Sequence, residues 1–199
     1  MGNDSVPGSN GFRLTYCGSL TVDRNPEPLF KAVRWLLDRY PEIENEVTVT
    51  LVGAAIGLDL DGLVSYYRLE KVVRLSGYVT HRESVRQLVR SDAVLMLITS
   101  PPGRSRGVPT GKYYECLASG RPILCVSTNR QGLADIEETG QGAILDPSET
   151  EAIARYIKRL IEGRETGVSP ETAVSRSKQF NRLNLAERLG RILDEASYR

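Results

Sequence analysis

The sequence predicts a doubly wound, Rossmann-like α/β domain built on a parallel sheet of about six strands. Three observations predict it. Short β-type runs alternate with longer helical ones; some of those runs, such as AVLMLI (93–98), are apolar without a break; and the helical segments carry apolar stripes at helical spacing. A continuously apolar strand is buried on both faces, which happens when helices cover both sides of a parallel sheet. A helix in nearly every gap between strands is the pattern of a doubly wound fold.

In chain order, FRLTYC (12–17) is an alternating strand ending at Gly18. Asn25 before Pro26 reads as an N-cap with proline at the first helical position. The helix that follows buries Leu29, Ala32, Val33, Leu36 and Leu37. VTVTLV (47–52), rich in β-branched residues, ends at Gly53, and VVRLSG (72–77) is the third strand. Thr80 and Glu83 have capping-box spacing and open the next helix. AVLMLI is the fourth strand, PILCVS (122–127) the fifth and GAILD (142–146) the sixth. Ile153, Tyr156, Ile157, Leu160 and Ile161 repeat the helical stripe. A charged segment, roughly 163–179, precedes a last amphipathic helix at about 183–196. Residues 1–10 read as a disordered leader, in part a cloning remnant, and 11–199 as one domain without repeats or low-complexity tracts.

Composition excludes several function classes. The chain has 199 residues, 40 % apolar and 26 % charged, with net charge +1. That balance gives no bulk attraction to nucleic acid or anionic lipid. No apolar run approaches the roughly 20 residues of a membrane span. Cys17, Cys116 and Cys125 are three in number and lack CxxC spacing, which favours buried free thiols in a reducing cytoplasm over disulfides or zinc. The single histidine, His81, leaves little for a metal centre or a Ser–His–Asp triad. It stands at a helix start, where an exposed or capping histidine is favoured over a catalytic base. GxGxxG and the Walker A pattern are absent, against a nicotinamide-dependent dehydrogenase or a P-loop enzyme. A receiver domain would need an acidic cluster near the first strand, and none stands there.

Ligands of open α/β sheets bind outside the carboxyl ends of the strands. After the first strand, Gly18 permits a tight turn and Arg24 can reach an anion; the alternative is an ordinary turn with a surface arginine. After the fourth comes a long Gly- and Pro-rich loop, TSPPGRSRGVPT (99–110), carrying Arg104 and Arg106. It leads into TGKYYECLASGRPIL (110–124). Gly111 and Lys112 open a helix whose free N–H groups favour phosphate. Lys112 and Glu115, three apart, share a helix face. Glu115 suits vicinal ribose hydroxyls; the alternative is a solvated Lys112–Glu115 pair.

TGKYYECLASGRPIL resembles the donor-site helix of group 1 (family 4-like) glycosyltransferases with the GT-B fold, through Thr110, Lys112, Glu115, Ala118, Gly120 and Pro122. Other segments fall in family order: YCGSL, VTVTLVG, VRLSGYVTHRESVRQL and SDAVLML. The resemblance covers about 12–162 and implies the C-terminal half of a GT-B fold. It implies transfer of a sugar, mostly with retention, from a nucleoside diphosphate sugar to an acceptor hydroxyl in bacterial polysaccharide or glycolipid synthesis. The donor site it implies is Gly18, Arg24, Tyr78, Val79, Thr110, Gly111, Lys112 and Glu115. Arg24 stands where the family usually has a phosphate-binding lysine. Tyr78 and Val79 would line the base through their backbone, with neither metal nor cofactor. Two departures stand out. Gly107 lies eight residues before Glu115, where many members have a sugar-contacting glutamate, and Ser19 replaces a common arginine. The family's N-terminal acceptor domain has no counterpart, so the chain is expected to be a fragment or one subunit of a split enzyme, inactive alone. Its expected place is the cytoplasm, peripheral to the inner membrane through the other domain. The alternative function is a non-catalytic nucleotide-binding or partner-docking subunit.

Overall fold

The computed structural model of the chain describes residues 11–99 and 111–163, with isolated residues between 165 and 191. Six strands form one sheet: β1 (Phe12–Cys17), β2 (Val47–Val52), β3 (Val73–Leu75), β4 (Ala93–Ile98), β5 (Ile123–Ser127) and β6 (Gly142–Leu145). All pairings are parallel, in the order β3-β2-β1-β4-β5-β6. Six α-helices accompany them: α1 (Glu27–Arg39), α2 (Leu60–Tyr66), α3 (His81–Arg90), α4 (Gly111–Ala118), α5 (Asp135–Glu138) and α6 (Thr150–Ile161). The fold is the doubly wound α/β sheet that the sequence predicts.

Strand alternation builds a core on each face. Leu14 and Tyr16 of β1, Ala93, Leu95 and Leu97 of β4, and Leu124 and Val126 of β5 pack with α1, α2 and α6. Their neighbours Cys17, Val94, Met96, Ile123 and Cys125 pack on the other face with Leu88 of α3, Cys116 and Leu117 of α4, and Ile136 of α5. All three cysteines are buried free thiols. Burial is the main cause that pushes each thiol up from its ordinary range, Cys125 to about 12.

Local signals set the helix starts. The Asn25 side chain accepts a hydrogen bond from the Glu27 N–H at 2.9 Å, so it caps α1, whose first regular residue is Glu27. Thr80 caps α3 by accepting from the Glu83 N–H at 3.3 Å. The Glu83 carboxylate does not close the capping box; it bonds Gln87 and Arg86 on its own helix. The third strand is shorter than VVRLSG suggests, because Gly77 turns the backbone at φ +60°. Two 3₁₀ turns, Val22–Arg24 and Pro41–Asn45, flank α1. The expected leader, the loop from 100 to 110 and most of the last helix lie outside the described residues; Asn184, Ala186, Glu187, Leu189, Gly190 and Arg191 are helical. No helix among the described residues is long and apolar enough to cross a membrane.

Candidate functional site

In a sheet ordered 3-2-1-4-5-6, the chain reverses direction of winding between β1 and β4, and the loops beyond their carboxyl ends part to leave a crevice. Here the loops after β1, β2 and β3 are fastened together. The Gly18 N–H donates to Val52 O at 2.8 Å, Leu20 N–H to Ala54 O at 2.9 Å, and Ile56 N–H to Leu20 O at 2.8 Å. The Gly53 N–H donates to Gly77 O at 2.7 Å, which ties in the loop that carries Tyr78. Gly53 sits at φ +140°, and a Cβ there would lie 1.9 Å from Gly18 O. Only glycine fits that approach. On the β4 side, Thr99 receives the Asn25 N–H on its hydroxyl and donates its own N–H to Asp23 O.

Helix α4 enters this corner with two faces. Tyr113, Cys116 and Leu117 are buried in the second core, where Tyr113 donates to Asp135 at 2.8 Å. Burial, then the neighbouring Asp135 carboxylate, pushes the Tyr113 phenol well above its usual range. At the helix end, the buried Gln141 amide donates to Leu117 O at 2.8 Å and also reaches Cys116 O and Arg121 O. The other face carries Lys112 and Glu115. A Cβ on Gly18 would lie 3.3 Å from Lys112 Cδ and 2.9 Å from Tyr16 Oη, so Lys112 lies across the Gly18 turn. Tyr16 supports that turn from beneath by donating to Ser19 O at 2.9 Å. Burial pushes the Tyr16 phenol up to about 12, opposed by the nearby Arg24.

Glu115 is not paired with Lys112. Its Oε1 lies 2.9 Å from His81 Nε2, and its Oε2 is buried without a hydrogen-bond partner among the described residues. Lys112 and the Arg24 guanidinium have no ion pair among the described residues. Beneath the pair, Cys17 Sγ rests 3.5 Å from Ser84 O and feels both Lys112 and Glu115. Tyr78, 83 % exposed, stands on the loop fastened through Gly77, and Val79 packs partly into the second core. Thr110 lies outside the described residues, as do Arg104 and Arg106. The fold thus gathers Gly18, Arg24, Lys112 and Glu115 around one turn.

The corner can bind an anion and a diol. Two cations unpaired among the described residues and the N-terminus of α4 favour phosphate. A carboxylate with a buried, partnerless oxygen favours a hydroxyl donor. Sequence reasoning missed three contributors. His81 as the partner of Glu115 has no spacing signal across 34 residues. Gln141 as the clamp of α4 has none either. Gly53 is visible as the glycine closing VTVTLVG, although its close approach to Gly18 is not.

The fold has counterparts among known proteins. The model of the family described as Glycosyl transferases group 1 matches residues 12–163. No curated protein is significantly similar to the chain in sequence. Among solved structures, Anabaena Alr3699/HepE in complex with UDP matches with TM-score 0.72 and 20 % identity, over 94 % of this chain and 49 % of its own. The pneumococcal O-GlcNAc transferase GtfA in complex with UDP and GlcNAc matches with TM-score 0.70 and 18 % identity, over 98 % of this chain and 38 % of its own. Sucrose-phosphate synthase from Thermosynechococcus elongatus matches with TM-score 0.71 and 16 % identity, over 96 % and 47 %. The chain therefore spans half or less of the length of these proteins. With the family model covering most of its residues, the chain belongs to the group 1 glycosyltransferases.

Proposed function

We propose that this chain is the donor-binding domain of a glycosyltransferase that moves a sugar from a nucleoside diphosphate sugar to an acceptor hydroxyl. The observation that carries this reading is the Glu115 carboxylate, with one buried oxygen that has no partner among the described residues, on the same helix face as Lys112. Lys112, Arg24 and the N–H groups of Gly111 and Lys112 neutralise the diphosphate, which gains negative charge as it leaves. Glu115 holds the ribose, and Tyr78 and Val79 line the base. UDP is the first nucleotide to test, because the matched HepE and GtfA structures hold it. Transfer is with retention, and the acceptor site stands on a second, N-terminal domain or subunit. The exposed Val22, Ile56 and Tyr78, on loops at the carboxyl ends of β1, β2 and β3, supply an apolar rim for that domain. The enzyme works in the cytoplasm, peripheral to the membrane, on polysaccharide or glycolipid acceptors.

A second reading, a non-catalytic nucleotide-binding or partner-docking subunit, is favoured by Gly107 standing where many family members have a glutamate. Transfer detected after an N-terminal half is supplied separates the two. The donor reading is tested by calorimetry with UDP, GDP and ADP. Glu115→Ala removes two hydrogen bonds to a charged group, each worth about 1.5–3 kcal/mol. The expected loss is roughly 10–100-fold in affinity after solvent compensation, with the fold intact. The 2′,3′-dideoxy nucleotide should bind the wild type about as weakly as the normal nucleotide binds the variant, and lose little more on the variant. Additive losses would take the carboxylate off the ribose.

A further inference from the structure

We propose that His81 is a positioning residue for nucleotide recognition: its imidazole holds Glu115 so that the second carboxylate oxygen meets the ribose. The inference rests on the ribose reading of Glu115 and adds a residue to it. His81 is the first residue of α3, directly after the Thr80 cap, so its backbone is fixed by the helix start. From there Nε2 reaches Glu115 Oε1 on α4 at 2.9 Å, a bridge between two helices across the crevice corner. The histidine side chain is 75 % exposed and the glutamate 26 %, so the bond lies at the mouth of the corner with the carboxylate on its inner side.

A solvent-exposed pair of this kind adds little to fold stability. Its effect falls on the carboxylate. A glutamate has three rotatable side-chain bonds, and ordering it when a ligand arrives opposes binding. A bond already made to Oε1 removes most of that opposition and turns Oε2 inward. Oε2 is buried without a partner, an arrangement that is unfavourable until a donor meets it. Among the described residues one other buried side-chain oxygen lacks a partner: Ser84 Oγ, one helical turn beyond His81. Both flank Cys17, whose sulfur rests against the Ser84 carbonyl and whose thiol feels the Glu115 charge. The imidazole donates to Oε1 when Nε2 carries its proton.

The test uses the untagged 199-residue chain, UDP and 2′,3′-dideoxy-UDP, with GDP or ADP and their dideoxy forms if one of these binds tighter. His81→Ala should weaken UDP roughly threefold to tenfold, the cost of ordering one long side chain on binding. It should leave dideoxy-UDP and the thermal midpoint unchanged. His81→Gln, whose amide can still donate, should recover most of the affinity. Adding His81→Ala to Glu115→Ala should change nothing further. Because the chain has a single histidine, its imidazole proton signals can be followed directly; they should move with UDP and far less with dideoxy-UDP. If His81→Ala unfolds α3, His81→Asn, too short to reach Glu115, takes its place. Equal losses for UDP and dideoxy-UDP, or no loss for either, overturn the positioning role while the ribose reading stands. If Glu115→Ala leaves UDP affinity unchanged, or no diphosphate binds the wild type, the ribose reading falls and this inference with it.

Discussion

The amino end of the sheet and the corner around Gly18 and Lys112 treat charge differently. At the amino end, several charged groups beside the strands are paired: Arg13 with Asp92, Lys71 with Glu44, and Arg159 with Glu165. Arg121 places two guanidinium bonds on Val89 O. Arg90 has no ion pair there, but it stands in the last turn of α3, where the helix carbonyls attract a cation. A cleft of about 430 Å³ opens at this end, lined in part by Asp92 and Glu165, which are ion-paired, and by Arg121, whose guanidinium bonds Val89 O. At the carboxyl end, Lys112 and Arg24 are unmatched among the described residues, and Glu115 keeps a partnerless oxygen. The size of a cleft therefore says less about a ligand than the state of the polar groups around it.

The sharpest way to break this comparison is at Gly53. With a Cβ placed 1.9 Å from Gly18 O at φ +140°, Gly53→Ala must force the loops apart. Urea unfolding should show a loss of about 3 kcal/mol or more, and UDP binding should go with it. Gly57 is the control: at φ +71° with nothing within 4 Å, its alanine variant should lose only about 1–2 kcal/mol. Equal losses at the two glycines would mean that the loop contact is not what holds the corner.

The next test sharpens the roles at the carboxyl end. Lys112→Ala should cut UDP affinity roughly 10–100-fold, since a charge-assisted contact worth about 1.5–3 kcal/mol is lost. Uridine, without phosphates, should bind the variant as it binds the wild type. Calorimetry with both ligands reads this directly, and a parallel loss of uridine would move Lys112 away from the diphosphate. The smallest effect belongs to the amino end. Asp92→Ala should cost about 1–2 kcal/mol, as the exposed Arg13 ion pair and the bond from the Arg13 N–H go, and leave UDP affinity unchanged. A change in UDP affinity would end the division between the two ends.

Much of the fold is legible in the sequence because its central strands are buried on both faces. β1, β2 and β4 coincide with FRLTYC, VTVTLV and AVLMLI. The edge strands are less legible: β3 and β6 pair on one side only, so their ends follow local turns such as Gly77 rather than an apolar run. The 3₁₀ turns carry no period to read. In the candidate site, i, i+3 spacing puts Lys112 and Glu115 on one face, and strand order brings Gly18 to them. The His81–Glu115 bond, the Gly53–Gly18 approach and the Gln141 clamp join residues far apart in sequence. No local pattern encodes such contacts; they become visible only once the sheet has set its neighbours side by side.

The Gln141 clamp also turns chain length into angle. Its amide holds the carbonyl end of α4, and Tyr113 is anchored to Asp135 on the inner side. The helix can neither slide nor roll. Each residue along an α-helix advances about 100° around its axis. One residue added or removed between Lys112 and the clamped carbonyls would swing the ammonium by more than a quarter of a circle, off the crevice. The stretch from Gly111 to Gly120 therefore works as a ruler, in which the number of residues matters as much as their kind.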